Sequence, residues 1–172
     1  MKKSKEIISD KVAVVNQILP HVNKWAWDLF IDGAANNWMP TEVSMAKDIE
    51  QWKNGTLSEN EKLVVKRCLG FFAGSESLVA NNLLLSIFKF VTDAECRQYI
   101  LRQAYEESLH NLTVVYCCDS LNLDIDEVYQ AHMSVPSIKS KDDFLMEIST
   151  DINRPDFNIN TLEGKREFLR NM

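Results

Sequence analysis

Apolar residues recur at helical spacing through nearly the whole chain, and the stretches that carry them are long. Trp25, Leu29, Phe30 and Ala34 share one face of a stretch from Lys24 to Asn36, which predicts a helix running toward Trp38-Met39-Pro40-Thr41. Met45 to Trp52 predicts a short helix stopped by Asn54-Gly55. Ser58-Glu59-Asn60-Glu61 has capping-box spacing and opens a long helix through Leu69, Phe72, Glu76, Leu83 and Phe88 to about Val91. Thr92-Asp93-Ala94-Glu95 repeats that spacing and opens a second long helix to about Leu121. Two long helices joined so tightly must lie antiparallel as neighbours. Asp124 to Glu127 starts a further short helix, Lys141 to Thr150 gives another, and Thr161 to Met172 gives the last. Strand signals are almost absent, there is no internal repeat, and the pattern predicts an all-α fold.

Charged groups placed inside these apolar stretches change the picture. Glu107-Ser108-Leu109-His110 puts a carboxylate and an imidazole one turn apart, about 60° from each other around the helix, within reach of one metal ion. Glu76 lies inside the apolar segment from Gly70 to Leu85, where an unpaired ionised group would be costly to bury. It stands about 16 residues before the turn at Thr92, and Glu107 stands about 15 after it, so the regular rise of a helix sets both at nearly the same height. Carboxylates on one helix facing Glu-x-x-His on another form the inner shell of a di-metal site in a ferritin-like bundle. Glu106 lies about 100° around from Glu107 and belongs on the outer face. His21 and His132 sit near turn or helix-end positions without acidic company and read as solvated.

Composition sets outer bounds. With 172 residues, 45% of them hydrophobic, the chain reads as one domain over 1–172, with a flexible leading segment over 1–22. A net charge of -6 and a pI near 5.1 argue against nucleic acid as a partner. No segment reaches the uninterrupted apolar length of a membrane span, and the basic start, Met1-Lys2-Lys3-Ser4-Lys5, has no apolar run after it that would make a signal peptide. A cytoplasmic setting without membrane contact is the expectation. Cys68, Cys96, Cys117 and Cys118 lack metal-type C-x-x-C spacing and read as reduced core thiols. Trp25 and Trp27 read as core or interface residues, and Trp52 as a packing residue.

Several motifs in order point to one family. Lys24-Trp25-Ala26-Trp27, Ala35 to Glu42, Gly70-Phe71-Phe72, Glu76-Ser77-Leu78-Val79, Arg102 to Glu107 and Lys141-Asp142-Asp143-Phe144 make the stretch from Lys24 to Met172 resemble the N-terminal half of the small, radical-generating subunit of class I ribonucleotide reductase, the chlamydial type above all. The resemblance implies a ferritin-like bundle in which Glu76, Glu107 and His110 are metal ligands and Trp38 starts the electron path toward the large subunit. It also implies oxygen activation at a di-metal site and delivery of the oxidising equivalent to a large subunit that reduces ribonucleotides. A small-subunit dimer is implied as well.

Two departures from the family pattern matter. Val114, four residues past His110 and about 40° around the helix, stands where most of the family has the radical tyrosine and the chlamydial type has phenylalanine. Valine stores no radical, and the resemblance to the chlamydial type then implies a manganese/iron pair that holds the oxidising equivalent itself, with a di-iron pair as the alternative. Tyr116 is about 240° around from His110, a poor substitute for the radical residue but available as a relay. The family also completes its site with two further glutamates and a second histidine from later helices, which this chain lacks. Half a site and half a bundle imply a second polypeptide carrying the C-terminal half, which would cover apolar positions between Leu83 and Phe90 and between Leu109 and Tyr116. Two other readings use the same scaffold: a manganese/iron oxidase acting on a lipid-like ligand, and a structural or regulatory half-bundle that has lost catalysis.

Overall fold

Side-chain caps decide where several of the helices begin. The computed structural model describes residues 6–12 and 14–172; the basic residues at positions 2, 3 and 5, which bear on the leader reading, lie outside the described residues. Among those described, the helices are α1 Lys24–Ala35, α2 Ala46–Lys53, α3 Glu59–Asn81, α4 Ala94–Leu121, α5 Ile125–Tyr129, α6 Ala131–Ser134, α7 Pro136–Asp151 and α8 Leu162–Asn171. The β pairing among them is one isolated bridge, Ile8 with Val91, so the all-α expectation holds.

At the start of α3 the predicted box is formed: Ser58 Oγ accepts from the Glu61 N–H, and the Ser58 N–H donates to Glu61 Oε2 at 2.8 Å. Asp124 accepts from the N–H groups of Asp126 and Glu127 to open α5, and Thr161 Oγ1 accepts from the Gly164 N–H to open α8. The box expected at Thr92 does not form. Asp93 caps α4 instead, accepting from the Cys96 N–H at 2.9 Å, while Thr92 is engaged by the carbonyls of Glu6 and Ile7 and Glu95 accepts from the Val22 N–H. Distant residues thus took the partners that the local spacing had assigned.

Other differences are local. α3 runs into a π turn, Asn82–Ile87, where the Phe88 N–H reaches back to Leu83 O. α7 starts at Pro136, several residues before the predicted Lys141, since proline is well suited to a first helical turn. At the end of α4, Asn122 adopts φ 51° and the Leu123 N–H bonds back to Cys118 O, a left-handed stop that asparagine tolerates.

The described residues group into two compact units, each discontinuous in sequence. One comprises Trp38–Leu78 and Glu107–Phe144. Its core is Ala73, Val114, Cys118 and Val128, with Leu69 and Leu123 packed against them. Gly70 lets α3 approach α5 and α6 closely, because a Cβ there would meet the Ala131 Cβ at 2.5 Å and Val128 O at 3.0 Å.

The other unit comprises the residues up to Asn37, with Val79–Glu106 and Leu145–Met172. Its core is Ala26, Ile87, Val91, Cys96, Ile100, Ile152, Ile159 and the fully buried Phe168. Ile7 and Ile8 pack against this core, and Ser9 N–H donates to Phe90 O. Residues 7–9 of the leading segment are thus bonded and packed against the stretch Phe90 to Thr92 that follows the π turn.

Three further expectations are corrected. Glu59–Ile87, which is α3 with its π turn, is long and apolar enough to cross a bilayer by length and composition. A central helix in a bundle meets the same test, and this one carries Glu76 in an ion pair. Cys68 is exposed, whereas Cys96 and Cys118 are buried; all four thiols are free, and burial, helped by Asp93 and Glu95, pushes Cys96 to about 12. His21 is not solvated and alone: its ring stacks on Trp27 at 5.4 Å, and its Nδ1 lies 3.5 Å from the buried Glu95.

Candidate metal centre

α3 supplies Glu76 and α4 supplies Glu107 and His110, and antiparallel register brings the three together. His110 Nδ1 lies 3.0 Å from Glu76 Oε2 and 3.0 Å from Glu107 Oε2. One residue further along both helices, Ser77 Oγ donates to Asn111 Oδ1, and Asn111 Nδ2 donates to Glu107 O. Ala73, three residues before Glu76 on α3, packs with Val114 and Cys118, four and eight residues after His110 on α4, which is the antiparallel pairing expected. The Ser77–Asn111 brace was missed in the sequence, although its two members stand at the same register offset as Glu76 and His110.

The electrostatics describe a cluster that holds a proton where a cation would fit. A single ring nitrogen faces two carboxylates, and at most one N–H serves both. The side chains of Glu76 and Glu107 are mostly buried, at 16% and 11% exposure, while His110 is 43% exposed. Burial first, and then Glu76, pushes the Glu107 carboxyl above the ordinary range, with His110 opposing. Burial works against a charged His110, but hydrogen bonds and charge from Glu76 and Glu107 outweigh it and raise its pKa.

The donor atoms of the three residues all lie within 4.8 Å of one another, and none of the three is fully exposed. Two carboxylates and one imidazole suit first-row divalent ions such as manganese and iron. The residues present therefore fit a metal on both spacing and donor chemistry. Two carboxylates with one imidazole still leave coordination positions to be filled by groups from elsewhere.

Trp38 comes to the same place, its ring 6.1 Å from that of His110 at a tilt of 32°. It precedes a 3-10 turn, Pro40–Glu42. Val114 is buried in the core with Ala73, Cys118 and Val128. Tyr116 turns to the other side of α4 and donates its hydroxyl to Val43 O at 2.9 Å. Glu106 pairs with Arg102 and stays out of the cluster. His132 is exposed, with its ring against Tyr129 O.

Comparison with known proteins bears on what this cluster does. Residues 15–172 match the family model "Ribonucleotide reductase, small chain". The chain is similar to the ribonucleoside-diphosphate reductase subunit beta of Chlamydia pneumoniae, 50% identical over 158 residues that make up 92% of this chain and 46% of that protein. It is also similar to the ribonucleoside-diphosphate reductase small chain of Plasmodium falciparum (isolate Dd2), 27% identical over 82% of this chain and 42% of that one. Its fold matches the ribonucleotide reductase R2 subunit from Clostridium botulinum with a TM-score of 0.81, at 22% identity, over 96% of this chain and 50% of that chain. The chain spans about half the length of these relatives, so the all-α architecture is half of a ferritin-like bundle.

Proposed function

This chain belongs to the ribonucleotide reductase small-chain family, and we propose that it contributes Glu76, Glu107 and His110 to a di-metal site completed by a polypeptide carrying the remaining helices. In this reading the completed small subunit, as a dimer, delivers an oxidising equivalent to the large subunit, which reduces ribonucleotides to deoxyribonucleotides. When bound, a manganese/iron pair, or two irons, supplies the oxygen activation.

What the chain's own residues contribute follows from their placement. Glu76 and Glu107 offer carboxylate oxygens from two helices, and His110 offers a ring nitrogen once its proton leaves. Antiparallel packing of α3 on α4, with the Ser77–Asn111 brace, fixes their spacing. Trp38, lying against His110, is the electron-transfer residue on the way to the large subunit. Val114 packs as an apolar wall and carries no radical, which supports storage of the oxidising equivalent at the metals.

One observation carries the reading: two carboxylates and an imidazole from two helices converge within 4.8 Å in a chain half identical to a chlamydial relative. The test is co-production of this chain with a polypeptide that supplies a second Glu-x-x-His, followed by metal analysis and a deoxyribonucleotide assay with the large subunit. The expected result is two metal ions per complex and product formation, both lost in H110A. A complex that takes up no metal would favour the structural half-bundle; one that takes up metal but yields no deoxyribonucleotide would favour the oxidase.

A further inference from the structure

The hydroxyl of Tyr116 has a structural partner that the electron-transfer scheme leaves unused. Met39 to Val43 is closed on itself: the Met39 N–H donates to Glu42 Oε1 at 2.9 Å, the Glu42 N–H to Met39 O at 3.0 Å, and the Val43 N–H to Pro40 O at 3.1 Å. Pro40 is buried beneath this turn, whereas Met39 and Val43 are exposed. A self-bonded turn of this kind moves as one piece, and Trp38 is its immediate neighbour. Its last residue is fastened to α4 by the Tyr116 hydroxyl, donating to Val43 O. Its other end puts the Trp38 ring against His110, on the same helix and six residues earlier, about 9 Å along the axis.

We infer that Tyr116 is a positioning residue for Trp38: by holding Val43 O, its hydroxyl fixes the turn that keeps the Trp38 ring against His110. The angular offset of Tyr116 from His110, unhelpful for a radical residue, is what this task needs, because the turn must be met on the flank of α4. The functional weight of this role rests on Trp38 being the electron-transfer residue. The placement itself is independent of metal or large subunit and can be tested without either.

The four tryptophans are replaced with 5-fluorotryptophan in the full chain, and the Trp38 fluorine resonance is assigned with W38F. In Y116F the Trp38 resonance is expected to shift or broaden and its quenching by acrylamide to increase, while the Trp52 resonance stays in place. E42Q, which weakens the turn from inside, should move the same resonance. An unmoved Trp38 resonance in Y116F overturns the inference, and if product formation is lost at the same time the relay role gains instead. A general shift of all four resonances also overturns it, since that marks loosening of the unit. Should Y116F fail to fold, para-aminophenylalanine at position 116 decides: it keeps a donor at the same atom, so a native Trp38 resonance supports the inference and a displaced one rejects it.

Discussion

At the scale of single residues, the cluster is governed by competition between protons and cations for the same atoms. Glu107 and His110 both have raised pKa values, Glu107 through burial and Glu76, His110 through the two carboxylates acting against burial. A divalent ion needs the carboxylate ionised and the imidazole neutral, so its binding releases protons. Uptake of Mn2+ or Fe2+ is therefore expected to weaken as pH falls through the raised His110 range, which begins above the ordinary 6.5. Calorimetry across a pH series measures this, and an affinity that stays flat through that range would contradict it. The metal-free protein follows the opposite sign. A charged His110 beside two carboxylates gives stability that is present below the ordinary imidazole value and lost as pH rises through the folded value. E107Q should lower metal affinity by at least the ~10–100-fold that changes around ligands typically cost, as read by metal analysis.

Asp142 is a second residue-scale case, with no link to metal. It is 3% exposed, neither carboxylate oxygen meets a hydrogen-bond donor among the described residues, and the bare backbone of Gly74 lies beside it, where a Cβ would stand 3.2 Å from Oδ2. Burial raises its pKa, with His132 opposing. A raised carboxyl binds its proton more tightly when folded, so stability is lost as pH climbs from the ordinary carboxylate value through the folded one. D142N should remove that slope and stabilise the protein at neutral pH by on the order of 1 kcal/mol. Urea denaturation at several pH values checks both, and an unchanged slope would mean that Asp142 is solvated when the protein is folded.

At the scale of elements, close approach of backbones sets the tolerances. G70A should cost about 1–3 kcal/mol, since the new methyl would meet Ala131 and the Val128 carbonyl, and a carbonyl cannot rotate away as a flexible side chain can. V114Y should cost a similar ~1–3 kcal/mol or more through overpacking, because Val114 is 3% exposed among Ala73, Cys118 and Val128. Thermal melts of the two variants measure these costs. A V114Y protein as stable as the parent would show that the position opens onto free space. The same elements show what was legible in the sequence. Helices α1, α3 and α4 were readable because periodicity and capping act within a few residues, and the pairing of Glu76 with His110 followed from counting residues on either side of one turn. The approach of His21 to Glu95, the Asn23–Asp93 bond and the Tyr116–Val43 bond were not, because each joins residues about 70 or more positions apart. The π turn Asn82–Ile87 contains no glycine or proline that would mark it in the sequence.

At the scale of the whole molecule, the chain covers about half the length of its relatives while retaining their fold over nearly all of its own. Large apolar side chains are exposed: Phe72, Leu85, Leu112 and Val115 among them, with Leu85 at 69%. Exposed apolar area of this kind drives association, because removing it from water is favourable at about 25 cal/mol per Å2. In the reading proposed above, the partner that completes the metal site is the same polypeptide that covers these residues, so metal uptake and solubility should rise together. The chain alone is expected to bind the dye ANS and to self-associate with increasing concentration in sedimentation, whatever metal is supplied. Addition of the complementary polypeptide should suppress dye binding and raise metal content to two ions per complex. H110A should separate the two effects: cover without metal. If the complement restores metal binding but leaves dye binding untouched, the exposed residues face something other than the missing half, and the link between closing the site and closing the core is broken.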